Sequence, residues 1–376
     1  DPWNTFSRGW KTELKDVFLL SGAVWAYHRS RDRRNRTLIL RFLKGSAWTL
    51  LLTGFLSIFS KYRFSKILHH LQHGWEGSEL ARFQHHAGTL FTSADFALHL
   101  YMPIGFMNTH LTFAALLCFF LCAYLLRFLN VFLRQPSRLK NRAVFLLFLY
   151  LLLGFPVLLL NNGRSAMLGL ILALLMGILF FTAWRWRKKI LWLGVPLSAV
   201  ILVTALLYFF SGKVHDRLEN LVRSALGESK HTDYQRVFVW QIALDIWQAE
   251  PLAGAGPGSF VPRANEAVVR LSQEKPRLWY AYQVIQRGHA HNDLLHLLAI
   301  GGVLTATFYL LFFGQLLMTA FAPQIRGFSA ACFRFSPLVL LFAGLLQCYF
   351  QDDETVLPFY LLIGLVLGSI GPVRKG

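Results

Sequence analysis

The sequence predicts an all-α fold: a polytopic transmembrane helix bundle with one large, partly helical external loop. Three observations predict it. Of 376 residues, 55% are hydrophobic and only 15% are charged, where a soluble domain would carry about 25% charged residues. Several apolar runs approach or exceed the roughly 20 residues that cross a bilayer. Short basic clusters separate those runs, as expected of segments retained on the cytoplasmic side.

In chain order the apolar runs are 14–28, 38–60, 93–126, 143–160, 165–183, 190–210, 291–314, 336–350 and 355–371. The basic clusters lie at Arg29–Arg36, Arg127–Arg142, Arg185–Lys189, Arg326–Arg334 and Arg374–Lys375. With every cluster inside, the segment 61–92, the turn 161–164, the loop 211–290 and the turn 351–354 fall outside. Lys61, Arg63 and Lys66 run against that assignment. The run 93–126 is too long for one simple crossing. Pro103 and Gly105 are placed to break it, leaving 93–103 as an external half-helix or re-entrant piece. The chain divides into an N-terminal bundle (1–210), a loop domain (211–290) and C-terminal helices (291–376).

The loop 211–290 mixes acidic and basic side chains. Val237, Trp240, Leu244 and Trp247 follow one another at helical spacing, one stripe of an amphipathic helix that would lie parallel to the membrane. The stretch EPLAGAGPGSF (250–260) then breaks it with proline and glycine. A loop of this size with helical content is usually functional.

The net charge of +19 would suit nucleic acid, but no zinc, basic-helix or aromatic-platform motif accompanies it. The topology absorbs most of that charge, and an anionic lipid-linked substrate could use the rest. Cys118, Cys122, Cys332 and Cys348 lie in or near apolar runs without a CxxC pair, so they read as core fillers.

Several external groups stand out. Arg164, in NNGRSAML, sits alone between two apolar runs on the side that disfavours basic residues; it is either a snorkelling anchor or a functional cation. Arg236 opens the loop helix. Two fixed guanidiniums would match the oxygens of a diphosphate. His289 and His291 precede the run 291–314. Leu295, Leu298, Gly302 and Thr305 continue the His291 face, and Gly302 would admit a neighbouring helix, placing His291 at the top of a packed seam. Such a histidine could accept a proton or simply cap and bond the helix. Asn292 or Asp293 suits the helix N-terminus. Asp352 and Asp353 would orient a base, neutralise an arginine or close a turn. Arg82 and Arg287 join His289, Asn292 and the two aspartates as supporting candidates. His69 and His73 have the i, i+4 spacing of metal-binding helices, and His85 and His86 are adjacent, but no HExxH pattern accompanies them. They read as solvated loop histidines, with no metal site expected.

The run QRVFVWQIALDIWQAEPLAGAGPGSF, followed by HAHNDLLHLLAIGGVLT, resembles the signature region of the bacterial O-antigen ligase and polymerase family. NNGRSAMLGL resembles its other landmark, an arginine turn entering a helix. The ligase pattern of His, then Asn, Ser or Gln, nine residues, Gly, two residues and Gly, Thr or Tyr is matched at His291, Asn292, Gly302 and Thr305. The acid that polymerase-like members often carry before that glycine is absent at Ala299, Ile300 and Gly301, which leans toward ligase.

The resemblance implies a GT-C-like glycosyltransferase of the bacterial inner membrane with its site facing the periplasm. It implies further helices upstream of Asp1. A glycan would pass en bloc from undecaprenyl diphosphate to a sugar hydroxyl of lipid A–core oligosaccharide, in lipopolysaccharide biosynthesis. Arg164 and Arg236 would bind the diphosphate, and His291 would deprotonate or position the acceptor hydroxyl. The implied partners are the lipid-linked donor, the lipid A–core acceptor and membrane lipids, without nucleic acid, cofactor or obligate metal. O-antigen polymerase and protein O-oligosaccharyltransferase are the alternatives within the family. A polysaccharide or lipid transporter is a more distant one, lacking evident inverted repeats or mid-span charges.

Overall fold

The computed structural model describes residues 18–66, 83–92, 97–134, 141–183, 232–321 and 333–370. Along the chain the elements are α1 (Leu20–Ser30), α2 (Arg33–Ser57), β1 (His86–Thr92), β2 (Ala97–Tyr101), α3 (His110–Arg134), α4 (Arg142–Asn161), α5 (Arg164–Ala183), α6 (Thr232–Ala249), α7 (Phe260–Glu274), α8 (Trp279–Val284), α9 (Asp293–Phe321), α10 (Ser336–Ala343) and α11 (Asp353–Gly368). Four of these, at 33–57, 110–132, 142–161 and 293–321, are long and apolar enough to cross a membrane. The chain forms two compact units, one of 15–175 with 312–376 and the other of 176–311 with 1–14.

In the unit 15–175 with 312–376, α3 is the central helix. Phe113 through Ala123 are buried without interruption, which an all-round apolar helix requires. The start of α2 is set by Asp32, whose carboxylate accepts from the Arg34 and Asn35 amides. Small residues bring α1 and α11 together: a Cβ on Gly364 would lie 2.2 Å from the Ala23 carbonyl oxygen.

The run 93–126 behaves differently from the half-helix expected. Residues 97–101 form a strand paired antiparallel with 86–92, and the helix begins only at His110. The reason is local: Ala97, His99 and Tyr101 alternate with Leu98 and Leu100, a period of two. The described residues are therefore helical with one small hairpin. The Ser57 hydroxyl accepts from the Ile104 and Gly105 amides, both at 3.1 Å, and the Tyr101 amide donates to Ile58 at 2.8 Å. These bonds fasten the segment after the hairpin to the end of α2. Arg63 is spent on structure, its Nε donating to the Phe83 carbonyl at 3.2 Å, while the Lys61 ammonium sits over the Phe83 ring. Helix 336–343 is shorter than the apolar run 336–350, because a turn follows it.

In the unit that holds 176–311, α6, α7 and α8 share a core with the start of α9. It contains Phe238, Ile242, Ile246, Phe260, Ala264, Leu271, Tyr282 and Ile300. The predicted loop helix exists, and the stripe next to the one containing the tryptophans faces the core. Phe238, Val239, Ile242, Ala243 and Ile246 are buried, whereas Val237 and Leu244 are 40% and 37% exposed. Packing against α7 selects that face. Exposed ion pairs from Arg263 to Glu250 and from Arg270 to Asp245, at 2.8 and 2.6 Å, run between α6 and α7. Each contributes at most about 1 kcal/mol.

Candidate functional site

The centre of this unit is a break in α9. Gly302 adopts φ +63° and ψ −165°, a region open essentially to glycine alone. An uninterrupted helix would bond the Val303 amide to the Ala299 carbonyl and the Leu304 amide to the Ile300 carbonyl. The break severs both, and the segment 251–256 replaces them. The Ala255 and Gly256 amides donate to the Ala299 and Ile300 carbonyls, each at 2.9 Å. Val303 donates to the Pro251 carbonyl at 2.9 Å, and Leu304 to Leu252 at 3.5 Å. Every group freed by the break is thus bonded, as a buried backbone demands. Gly254, at φ +66°, permits the approach; a Cβ there would lie 2.4 Å from the Gly301 nitrogen.

This strap leaves the end of α6, the helix bearing Arg236, and is fixed to α9, the helix that follows His291. It also corrects the seam expected from sequence. Gly302 receives a loop rather than a helix, and the face running from His291 to Thr305 is not continuous.

His291 lies before the helix with φ +50°, an uncommon backbone for a residue other than glycine. Asn292 is the N-cap, its Oδ1 accepting from the Leu295 amide at 2.9 Å. Asp293 opens the first turn and is buried, where a negative charge suits the helix dipole. The rings of His289 and His291 meet edge to face, with centroids 4.3 Å apart. Burial holds His289 mostly neutral, its pKa pushed down to about 3, with the charges of His291, His296 and Arg236 adding to the effect. Arg236 is half-buried in the second turn of α6, which begins at Thr232 rather than at the arginine.

One further residue belongs to this group. His296 is buried on the second turn of α9, its ring 4.7 Å from that of Phe260. In the sequence it stands inside the leucine run, and its offset of five from His291 matches no helical face. Arg287 braces the loop, donating to Asn265 Oδ1 at 2.9 Å and to the Gln283 carbonyl at 2.8 Å.

The other predicted residues lie in the unit 15–175 with 312–376. Arg164 is exposed at the first turn of α5. The turn before it is tied down by Asn161, whose amide donates to the Pro103 carbonyl at 2.6 Å. Ser165 bonds the buried Tyr349 hydroxyl at 2.8 Å. Asp352 closes a turn: it caps α11 through the Glu354 amide and accepts from the Thr112 hydroxyl at 2.5 Å. Asp353 is the first residue of that helix. Arg82, His69 and His73 lie outside the described residues, as do the apolar run 190–210 and the Arg185–Lys189 cluster. Among the described residues no three His, Cys, Asp or Glu side chains gather as a metal centre.

Apolar spans and a charged, histidine-bearing helix head define a multi-pass helical membrane protein with a polar site built on a broken helix. Residues 149–310 match the family model described as O-antigen ligase, so that region of the chain is similar to the O-antigen ligase family. The matched region contains Arg164, Arg236, the strap and the broken helix. Comparison with curated proteins returns no match.

Proposed function

We propose that this protein is a ligase facing the periplasm in the bacterial inner membrane. It transfers a glycan from undecaprenyl diphosphate to a sugar hydroxyl of lipid A–core. The observation carrying this reading is the strap, which fastens the Arg236 helix to the helix headed by His291. A cation and a proton acceptor are needed together. The bond from the anomeric carbon to the diphosphate oxygen breaks, and fixed guanidiniums stabilise the negative charge that develops on that oxygen. The acceptor hydroxyl supplies the new bond and loses its proton.

The two histidines are chemically unequal. A general base works best with a pKa near the operating pH. His289, held near 3, is too weak a base for that task, so His291 is assigned the proton. His289 packs against its ring as a neutral neighbour. Arg236 binds the diphosphate leaving group.

The test is complementation of a strain lacking the protein, read as the glycan profile of its outer-membrane lipid. The wild-type gene restores long chains. His291→Ala and Arg236→Ala leave carrier-linked polymer accumulating although the proteins are present in the membrane. Full restoration by both variants overturns the reading. Lipid bearing single-repeat glycans in the deletion strain identifies a polymerase instead. Transfer by the purified protein to a pilin-type protein, with none to lipid A–core, identifies a protein O-oligosaccharyltransferase.

A further inference from the structure

The hairpin of β1 and β2 places two histidines where their ring nitrogens converge. His86 Nε2 and His99 Nδ1 are 3.3 Å apart. The Thr89 hydroxyl oxygen lies 3.4 Å from the first and 3.2 Å from the second. The three atoms make a nearly equilateral triangle on the exposed face of the hairpin.

This arrangement depends on an irregularity in strand pairing. Thr89 pairs with His99 and His86 with Tyr101, with register shifts between His86 and Gly88 and between Thr89 and Phe91. In a regular strand, residues three apart point to opposite faces. The bulge brings His86 and Thr89 to one side, and bulges commonly re-aim a side chain in this way. The rings of His86 and His99 meet at 67° with centroids 5.3 Å apart, so the pair is not a flat stack.

The size of the triangle decides which ion could sit against it. Four donors placed tetrahedrally about 2.05 Å from zinc are separated by about 3.3 Å. The observed edges match one face of that tetrahedron. Imidazole nitrogen suits zinc and copper, whereas calcium and magnesium take oxygen donors.

We propose that His86 and His99, with the Thr89 hydroxyl beside them, form a solvent-facing site for a divalent late transition ion, Zn²⁺ or Cu²⁺. The two imidazoles are the principal ligands, and water completes the coordination. The site is separate from the proposed transfer chemistry and does not depend on it.

The test uses the full chain purified in detergent micelles and titrated with Zn²⁺ by calorimetry. Other histidines bind zinc weakly, so variants carry the comparison. His86→Ala and His99→Ala each weaken one binding event by at least about tenfold, the lower bound for disturbing a metal site. His85→Ala leaves that event in place, and His86→Cys, which keeps a ligand, retains it. With Cu²⁺, electron paramagnetic resonance shows nitrogen coupling that His99→Ala diminishes. In the wild type, Zn²⁺ slows amide exchange in 86–101; in His86→Ala it does not, which separates lost coordination from a frayed hairpin. Superimposable zinc isotherms for wild type, His86→Ala and His99→Ala overturn the proposal, as does a wild type that binds no zinc.

Discussion

Replacing Gly302 by alanine tests the strap and the helix break together. A Cβ at this position would lie 2.2 Å from the Leu252 carbonyl oxygen and 2.7 Å from the Ala253 nitrogen, both backbone atoms of the strap. Side-chain rearrangement cannot relieve either contact. Alanine at this φ and ψ also costs about 1–3 kcal/mol in backbone strain. If the strap lifts away, its bonds to Ala299, Ile300 and Pro251 are lost, at about 0.5–1.5 kcal/mol each. Those bonds favour the closed strap in both proteins, so the variant's closed form is disfavoured by the strain, at least about 1–3 kcal/mol. Every 1.4 kcal/mol is tenfold, so the closed strap becomes at least about 5- to 10²-fold less populated. Hydrogen exchange of the Ala255 and Gly256 amides in the purified protein reads this directly, and it should accelerate by that factor. Glycan transfer should fall with it, because Arg236 and His291 lose their common anchor. Gly314→Ala is the control: nothing lies within 4 Å of its added Cβ, so its effect stays within about 0.5 kcal/mol. Wild-type exchange at Ala255 and Gly256 in Gly302→Ala would refute the reasoning, as would equal damage from Gly314→Ala.

Three other outcomes are expected. Asn292→Ala removes the cap on the Leu295 amide and costs about 0.5–2 kcal/mol; faster exchange at Leu295 measures it, and Asn292→Asp should recover most of the loss. His289 has a folded pKa near 3 against an ordinary 6.5, so below pH 6.5 the unfolded chain binds a proton that the folded chain refuses. Its contribution to stability is therefore complete above pH 6.5 and is lost as pH falls toward 3, at up to about 1.4 kcal/mol per pH unit; thermal inactivation between pH 7 and 5 should show a slope that His289→Asn reduces. Gly169→Ala should destabilise the unit holding Arg164, because its Cβ would lie 2.2 Å from the Val339 carbonyl oxygen. Overpacking of this kind costs about 1–3 kcal/mol, visible as a lower Tm, while Gly45→Ala, which lies inside helix α2 and meets nothing within 4 Å, should raise Tm slightly because alanine favours a helix interior.

The membrane class and most helix positions were legible in the sequence because they rest on properties that add along the chain. Apolar length sets a span, so 142–161 and 164–183 fall within a residue or so of the runs 143–160 and 165–183. Capping is also local, which is why Asn292 was readable as a helix start. Local patterns were less reliable where two elements compete for one face. The Trp240 stripe has helical spacing, yet α7 packs on the adjacent stripe, a choice made by the partner helix and not by α6 alone. The strand at 97–101 was read as part of an apolar run, because its period of two is only five residues long and needs 86–92 to become stable.

The residue types of the candidate site were determined by the sequence alone: a basic residue in the loop helix, histidines before a leucine run and glycines within it. Tertiary structure decided what the glycines are for. Gly302 does not admit a neighbouring helix; it stops α9, and Gly254 lets the strap bond the carbonyls and amides that the break exposes. No periodicity within 291–305 could reveal this, because the partners of those groups lie about fifty residues earlier in the chain. The physical reason is that a helix bonds within itself, so its pattern is written locally, whereas a broken helix must find its bonding partners elsewhere in the fold.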